Sequence, residues 1–203
     1  MTTDPRYHSL ASVLSGEALE YCFRLLAESD VAFKLSRPRS SKWGDYRFGR
    51  SIQPAITVNR NLEPPLFLMT FLHEFAHHQT TRDYGRKVPP HGVEWKMNFR
   101  SLMLPFLNED SLGKTLFPLI VRHMQNPRAN ISADQALYRY VLDQRDEEGT
   151  EIRTLSIGQR FHFRNEEYEV EQPLRKRIRV IRTRDQRRYI FQPLVRVYVG
   201  EPQ

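Results

Sequence analysis

Hydrophobic positions along the first 150 residues change rhythm several times. Leu19, Cys22, Phe23 and Leu26 follow the i, i+3, i+4, i+7 spacing of a half-buried helix, and Ser15 stands where an N-cap belongs. A helix is predicted over 16–29. Val31–Leu35, Trp43–Phe48 and Ala55–Val58 are short β-rich runs separated by Ser, Pro, Arg and Gly. They predict three strands of a small antiparallel sheet. Pro64-Pro65 opens a second helix over 65–81, because a first turn has no hydrogen-bonded donor for proline to remove. Tyr84–Pro90 reads as a loop. Further helices are predicted over 92–104, 112–125 and 133–144, the last led by the capping-box pattern Ser132-Ala-Asp-Gln135.

Beyond the acidic stretch Asp146–Glu151 the period falls to two. Arg160–Arg164, Tyr168–Val170, Arg177–Arg182, Tyr189–Gln192 and Val195–Val199 predict five short strands, with Asn165-Glu166 and Thr183–Gln186 as turns. The expected organisation is an α+β domain over 1–148 followed by a small all-β module over 149–203. Phe161, Phe163, Tyr168, Ile178, Val180, Ile181, Tyr189, Phe191 and Val197 are the candidate core of that module.

Composition narrows the class. Hydrophobic residues make up 39% of the 203, enough for a buried core and against wholesale disorder. One cysteine, Cys22, excludes a disulfide framework and a Cys-rich zinc site. The apolar run Leu66–Leu72 is broken by Thr70 and is too short to span a membrane. The first thirty residues lack the basic-then-apolar order of a secretory signal. A soluble, cytoplasmic protein with no membrane partner is expected. The net charge of +7 is local: Arg175–Arg188 carries eight basic side chains and one acid, Asp185.

The sharpest chemical signal is His73-Glu74-Phe75-Ala76-His77, an HExxH pattern. On a helix, residues i and i+4 lie about 40° apart, so both imidazoles project from one face and can bind one Zn²⁺. Glu74 sits about 100° round, within reach of a water molecule at such a site. Leu68, Phe71 and Phe75 lie on the opposite side and would anchor the helix in the core. Catalytic zinc needs a third protein ligand and an open position. Thr80 and Asp83 stand where a metzincin would carry Gly and His, so that class fails. His78 points away from His77 and reads as solvated or supporting. His8, His123 and His162 are isolated. His91 follows Pro89-Pro90 and precedes Gly92, a stiff loop with room for close approach, and is the favoured third ligand. Glu94, one turn further on, is its rival.

The paired motifs His73-Glu-Phe-Ala-His77 and His91-Gly-Val-Glu-Trp95-Lys resemble the SprT-like (Spartan-related) zinc metalloprotease family. In that family an HExxH helix is followed by an HGxxF/W segment whose histidine is the third zinc ligand. Trp43-Gly-Asp-Tyr-Arg47 and Ile56-Thr-Val-Asn59 resemble the family's strand block, so the similarity covers residues 10–110. It implies a zincin-like catalytic domain, one Zn²⁺ on His73, His77 and His91, Glu74 as catalytic residue, and proteins bound to or crosslinked on DNA as substrates. Many members end in a zinc ribbon with two cysteine pairs. The region after 150 has a ribbon's length and hairpin rhythm without a cysteine, so this module is expected to be metal-free and held by packing.

In the expected mechanism the metal makes hydroxide available near neutral pH. Glu74 accepts a proton during attack on a peptide carbonyl and passes it to the leaving nitrogen. Tyr46, Tyr84 and His78 stay open as oxyanion stabilisers. Trp95 is read as packing behind His91. In the basic segment, alternation puts Arg175, Arg177 and Arg179 on one face and Ile178 and Val180 on the other. The Val180-Ile181 doublet predicts a bulge or strand end. Arg182, Arg184, Arg187 and Arg188 then cluster at a hairpin tip. Together with Lys176 these are the candidate nucleic-acid contacts, because guanidinium forks suit phosphate oxygens and dense like charge calls for an offsetting anion. Such contacts would be largely sequence-independent. The alternative is a non-proteolytic nucleic-acid-binding protein with a structural zinc site, which a fourth ligand such as Glu94 would favour.

Overall fold

The computed structural model describes residues 3–39, 42–49, 51–143 and 149–200. The chain forms two compact units, one ending at Pro127 and the other beginning at Arg128, in a mixed α+β architecture. In the first, helices α1 (Pro5–Ala11) and α2 (Gly16–Ala27) lead into strands β1 (Ala32–Ser36), β2 (Gly44–Gly49) and β3 (Ile52–Asn59). Helices α3 (Pro64–Tyr84), α4 (Val93–Met103) and α5 (Glu109–Gln125) follow. The second holds α6 (Gln135–Asp143) and strands β4 (Thr150–Glu151), β5 (Arg160–Phe163), β6 (Glu166–Pro173), β7 (Ile178–Arg182), β8 (Arg188–Phe191) and β9 (Arg196–Val197). Among the described residues, no helix is long and apolar enough to cross a membrane.

The first sheet has the order β1-β3-β2 and is mixed, where an antiparallel sheet was expected. β2 and β3 form a hairpin and are antiparallel, while β1 runs parallel to β3. The segment between β1 and β2 therefore crosses over the position of β3, and the hairpin folds back to fill the gap. Asn59 secures this crossing. It is buried, and its side-chain amide donates to the carbonyls of Arg39 and Lys42 at 3.0 and 3.1 Å.

Helix α3 is the central element. Every residue from Leu66 to Leu72 is buried, so its first half is enclosed by the core on all sides, beyond the one-sided anchoring expected of Leu68, Phe71 and Phe75. Phe33 of β1 packs edge-on against Phe67 and Phe71, at 6.5 and 5.5 Å. Pro64 and Pro65 start the helix. Gly85 ends it with φ of 62°, a left-handed conformation that glycine adopts without cost, while its N–H reaches the Thr81 carbonyl. Helix α1 was not foreseen: seven residues are too few for a periodic signal, and Asp4 caps it by accepting the Arg6 N–H at 2.8 Å.

The two compact units divide at 127/128, ahead of α6, while the change of period suggested a domain boundary at 148/149. Change of period marks the first long strand, whereas α6 already belongs with the β elements: Arg139 pairs with Glu151 at 3.7 Å, and Arg196 with Asp143 at 3.4 Å. Residues 144–148, where the boundary was placed and the last helix was to end, lie outside the described residues. The first turn of α6 is capped by Asp134, whose carboxylate accepts the Leu137 N–H.

Strands β5-β6-β7-β8 form an antiparallel sheet, and β9 pairs with β4. Arg164 and Asn165, both with positive φ, make the tight β5–β6 turn. Phe161, Tyr168, Ile178, Val180 and Val197 are core residues as expected, joined by Ile152 and Val170. Ile181 is the exception. The register irregularity lies on β6 between Val170 and Gln172, not in β7, so β7 alternates through Ile181 and turns it to the outer face opposite Glu169 and Arg188.

Candidate functional site

Residues His73 and His77 lie on α3, and the Pro89–Gly92 turn delivers His91 to them. The Gly92 N–H donates to the Pro89 carbonyl at 3.0 Å and closes that turn. Among the described residues these three histidines form the group able to share a metal ion, each offering one ring nitrogen, all within 4.8 Å of one another. The Nε2 atoms of His77 and His91 stand 3.0 Å apart. Glu94, the rival third ligand, does not join them.

Trp95 organises the trio. It is fully buried, with ring centroids 4.7 Å from His73, 5.3 Å from His77 and 4.7 Å from His91, and it stacks on Phe99 at 5.2 Å. Its indole N–H donates to the His73 carbonyl at 3.3 Å. The expected packing role behind His91 thus extends to all three imidazoles.

Burial pushes all three histidines below their ordinary pKa, His73 strongly and His77 to about 3, with the neighbouring imidazoles adding to the effect on both. Neutral imidazoles present lone pairs, and three lone pairs directed into one small space suit a cation. Three imidazole nitrogens could hold a metal ion, and the donor set is compatible with Zn²⁺ as with other divalent first-row metals. Protons should compete weakly for such ligands. A lowered pKa confines protonation to lower pH, so zinc affinity is expected to fall by less than about tenfold between pH 7.0 and 5.5. Three imidazoles of ordinary pKa would lose about five-hundredfold. Competition against a chromophoric chelator at the two pH values measures this, and a loss of the larger size would refute it.

Glu74 is 8% exposed. Its carboxyl pKa is pushed up to about 8, first by burial and then by Asp45, against the opposing pull of Arg39, Lys42 and the Tyr46 backbone N–H. Tyr46 of β2 stacks parallel to His77 at 6.4 Å, with its hydroxyl buried beside Thr81 and lacking a well-formed hydrogen bond. His78 is buried, edge-on to Tyr46 at 6.0 Å, with Nε2 3.9 Å from Asp30. Tyr84 is exposed at the end of α3. Neither His78 nor Tyr84 joins the trio. Gly44 was missed as part of the site, although a lone glycine inside a strand run is a known sign of close backbone approach. Arg39 and Lys42, which bias the Glu74 carboxyl, carried no sequence signal.

In the second unit the basic side chains divide into two groups. Arg182 turns inward: its side chain is 12% exposed, lies over the Tyr189 ring at 5.0 Å, and donates to Asp185 at 3.0 Å. Arg184 pairs with Glu166 at 2.8 Å, Arg187 with Asp185 at 3.6 Å, Arg188 with Glu171 at 2.8 Å, and Arg179 with Glu171 at 3.8 Å. Glu166 and Glu171 of β6, just outside the arginine-rich window, and Asp185 within it thus engage five of the eight basic side chains and offset part of the charge. Arg175, Lys176 and Arg177 form the β6–β7 turn, and among the described residues none of the three has an ion-pair partner.

Compared with family models, curated proteins and solved structures, the chain matches none.

Proposed function

We propose that the protein is a zinc-dependent metalloendopeptidase of SprT-like type, with a zincin-like catalytic unit. The observation carrying this reading is the convergence of three neutral imidazoles, two of them on the helix that also carries the buried Glu74 carboxyl, with edge strand β2 next to His77 through Tyr46. An extended polypeptide can add to such an edge through backbone hydrogen bonds. His73, His77 and His91 would hold one Zn²⁺. When bound, the metal would polarise the scissile carbonyl and lower the pKa of the attacking water. Glu74 takes the proton from that water and returns it to the leaving nitrogen. Its raised pKa suits a group that must both accept and release a proton near neutrality. A cation at the histidines, the Tyr46 amide, Arg39 and Lys42 all favour its ionised form. The lone cysteine, Cys22, is a buried free thiol, which fits a reducing, cytoplasmic setting. Cleavage of a DNA-binding protein with and without DNA, by wild type and Glu74→Gln, tests the reading.

Nucleic acid is the partner proposed for the second unit, approached through Arg175, Lys176 and Arg177. Replacing these three with Ala is expected to weaken DNA binding and to reduce the slope of log affinity against log salt by about two to three. Replacing Arg184, Arg187 and Arg188, already engaged by carboxylates, should change the slope by about one or less. A salt titration with equal effects from both sets would refute this placement.

A further inference from the structure

Strand β2 lies directly against the Glu74 carboxyl. Gly44 is opposite Val58 and Tyr46 opposite Ile56, so all four share the sheet face that packs on α3. A Cβ on Gly44 would stand 2.5 Å from Glu74 Oε1, 2.7 Å from Cγ and 2.9 Å from Cδ. Each distance is far inside van der Waals contact, and the whole end of the Glu74 side chain is involved.

Neither partner can easily give way. The carboxyl is enclosed and close to the Tyr46 N–H. The strand is held on both sides of Gly44: the Trp43 carbonyl accepts the Asn59 N–H at 2.8 Å, and Asp45 is in register with Thr57. Asn59 also fixes Arg39 and Lys42 just upstream. Backbone conformation is not what calls for glycine here, because Gly44 is absent from the positive-φ positions. The cost of a side chain is steric.

We infer that Gly44 is a positioning residue for Glu74: the side chain it lacks leaves the slot in which the carboxyl is held against β2, the strand whose Tyr46 stacks on His77. The steric half of this inference stands on geometry alone, and the catalytic half rests on the peptidase reading. Even Ala at position 44 would displace the carboxyl from the slot while leaving the histidines in place.

Four full-length proteins test it: wild type, Gly44→Ala, Glu74→Ala and the double variant. In metal-free thermal melts, Gly44→Ala is expected to lower the midpoint of the first unit by about 5 °C, but by less than about 1 °C in the Glu74→Ala background. Equal shifts in the two backgrounds overturn the slot. If Gly44→Ala alone does not fold, a folded double variant supports the slot and an unfolded one overturns it. In the zinc-loaded protein, Gly44→Ala is expected to lower kcat about a hundredfold, with KM within about twofold and zinc retained. Wild-type kcat, or a loss confined to KM, overturns the positioning role. A wild-type protein that cleaves no peptide defeats the peptidase reading, while the melts still decide the slot.

Discussion

On the peptidase reading proposed above, cleavage of a protein substrate by the Glu74→Gln variant is expected to fall by about 10²–10⁴-fold with metal content unchanged. That is the range a positioned general base contributes. Glutamine is nearly isosteric, so the slot beneath Gly44 stays filled and the Tyr46 N–H keeps an oxygen acceptor. Only proton transfer is lost. The change also removes a buried carboxyl whose pKa is raised to about 8. The sign of its effect on metal-free stability follows. A carboxyl with a raised folded-state pKa binds its proton more tightly when folded, so it costs stability progressively as pH rises from the ordinary carboxylate range towards 8. Glu74→Gln should therefore melt no lower than wild type near pH 8, which separates a catalytic loss from unfolding. Activity that survives unchanged would defeat the mechanism and favour the structural-zinc alternative.

Trp95→Ala is expected to destabilise the first unit by about 3–5 kcal/mol, as for other fully buried tryptophans. Against a total of about 5–15 kcal/mol for a typical domain, this is a large share. The loss has two parts. Deleting the indole opens a cavity between Phe99 and the three imidazoles. It also removes the N–H donor to the His73 carbonyl. Trp95→Phe keeps most of the volume and loses the donor, so it should cost about 1 kcal/mol. Zinc affinity should fall in Trp95→Ala, since the rings lose their shared backing. Denaturant melts with and without zinc measure both effects, and an alanine variant with unchanged melting and affinity would show that Trp95 does not organise the site.

The parts of the site legible in the sequence are those set by local geometry. His73 and His77 face the same way because they are one helical turn apart, and the Pro64-Pro65 start and Gly85 stop bound their helix. Two-residue alternation in the second unit likewise sorted Ile178 and Val180 from Arg179. Errors arose where two distant segments meet. The first sheet became mixed because β3 inserts between β1 and β2, and Ile181 turned outward because the irregularity sits on the facing strand.

The charge-rich window shows the same division. Eight basic residues within Arg175–Arg188 are plain in the sequence. Which of them are engaged depends on Glu166 and Glu171, brought alongside by strand pairing.

By itself the sequence determined an α+β chain, one helix presenting two imidazoles and a carboxyl, and a basic, cysteine-free β region. The tertiary structure placed His91, already favoured over Glu94 in the sequence, with His73 and His77, and it alone decided that Trp95 backs all three rings and that Gly44 lies against Glu74. It also decided that Arg175, Lys176 and Arg177 are left without carboxylate partners among the described residues. Periodicity governs only neighbours within a few positions. The pairs 73–91, 44–74 and 171–188 meet through packing and strand register, which the whole fold sets at once.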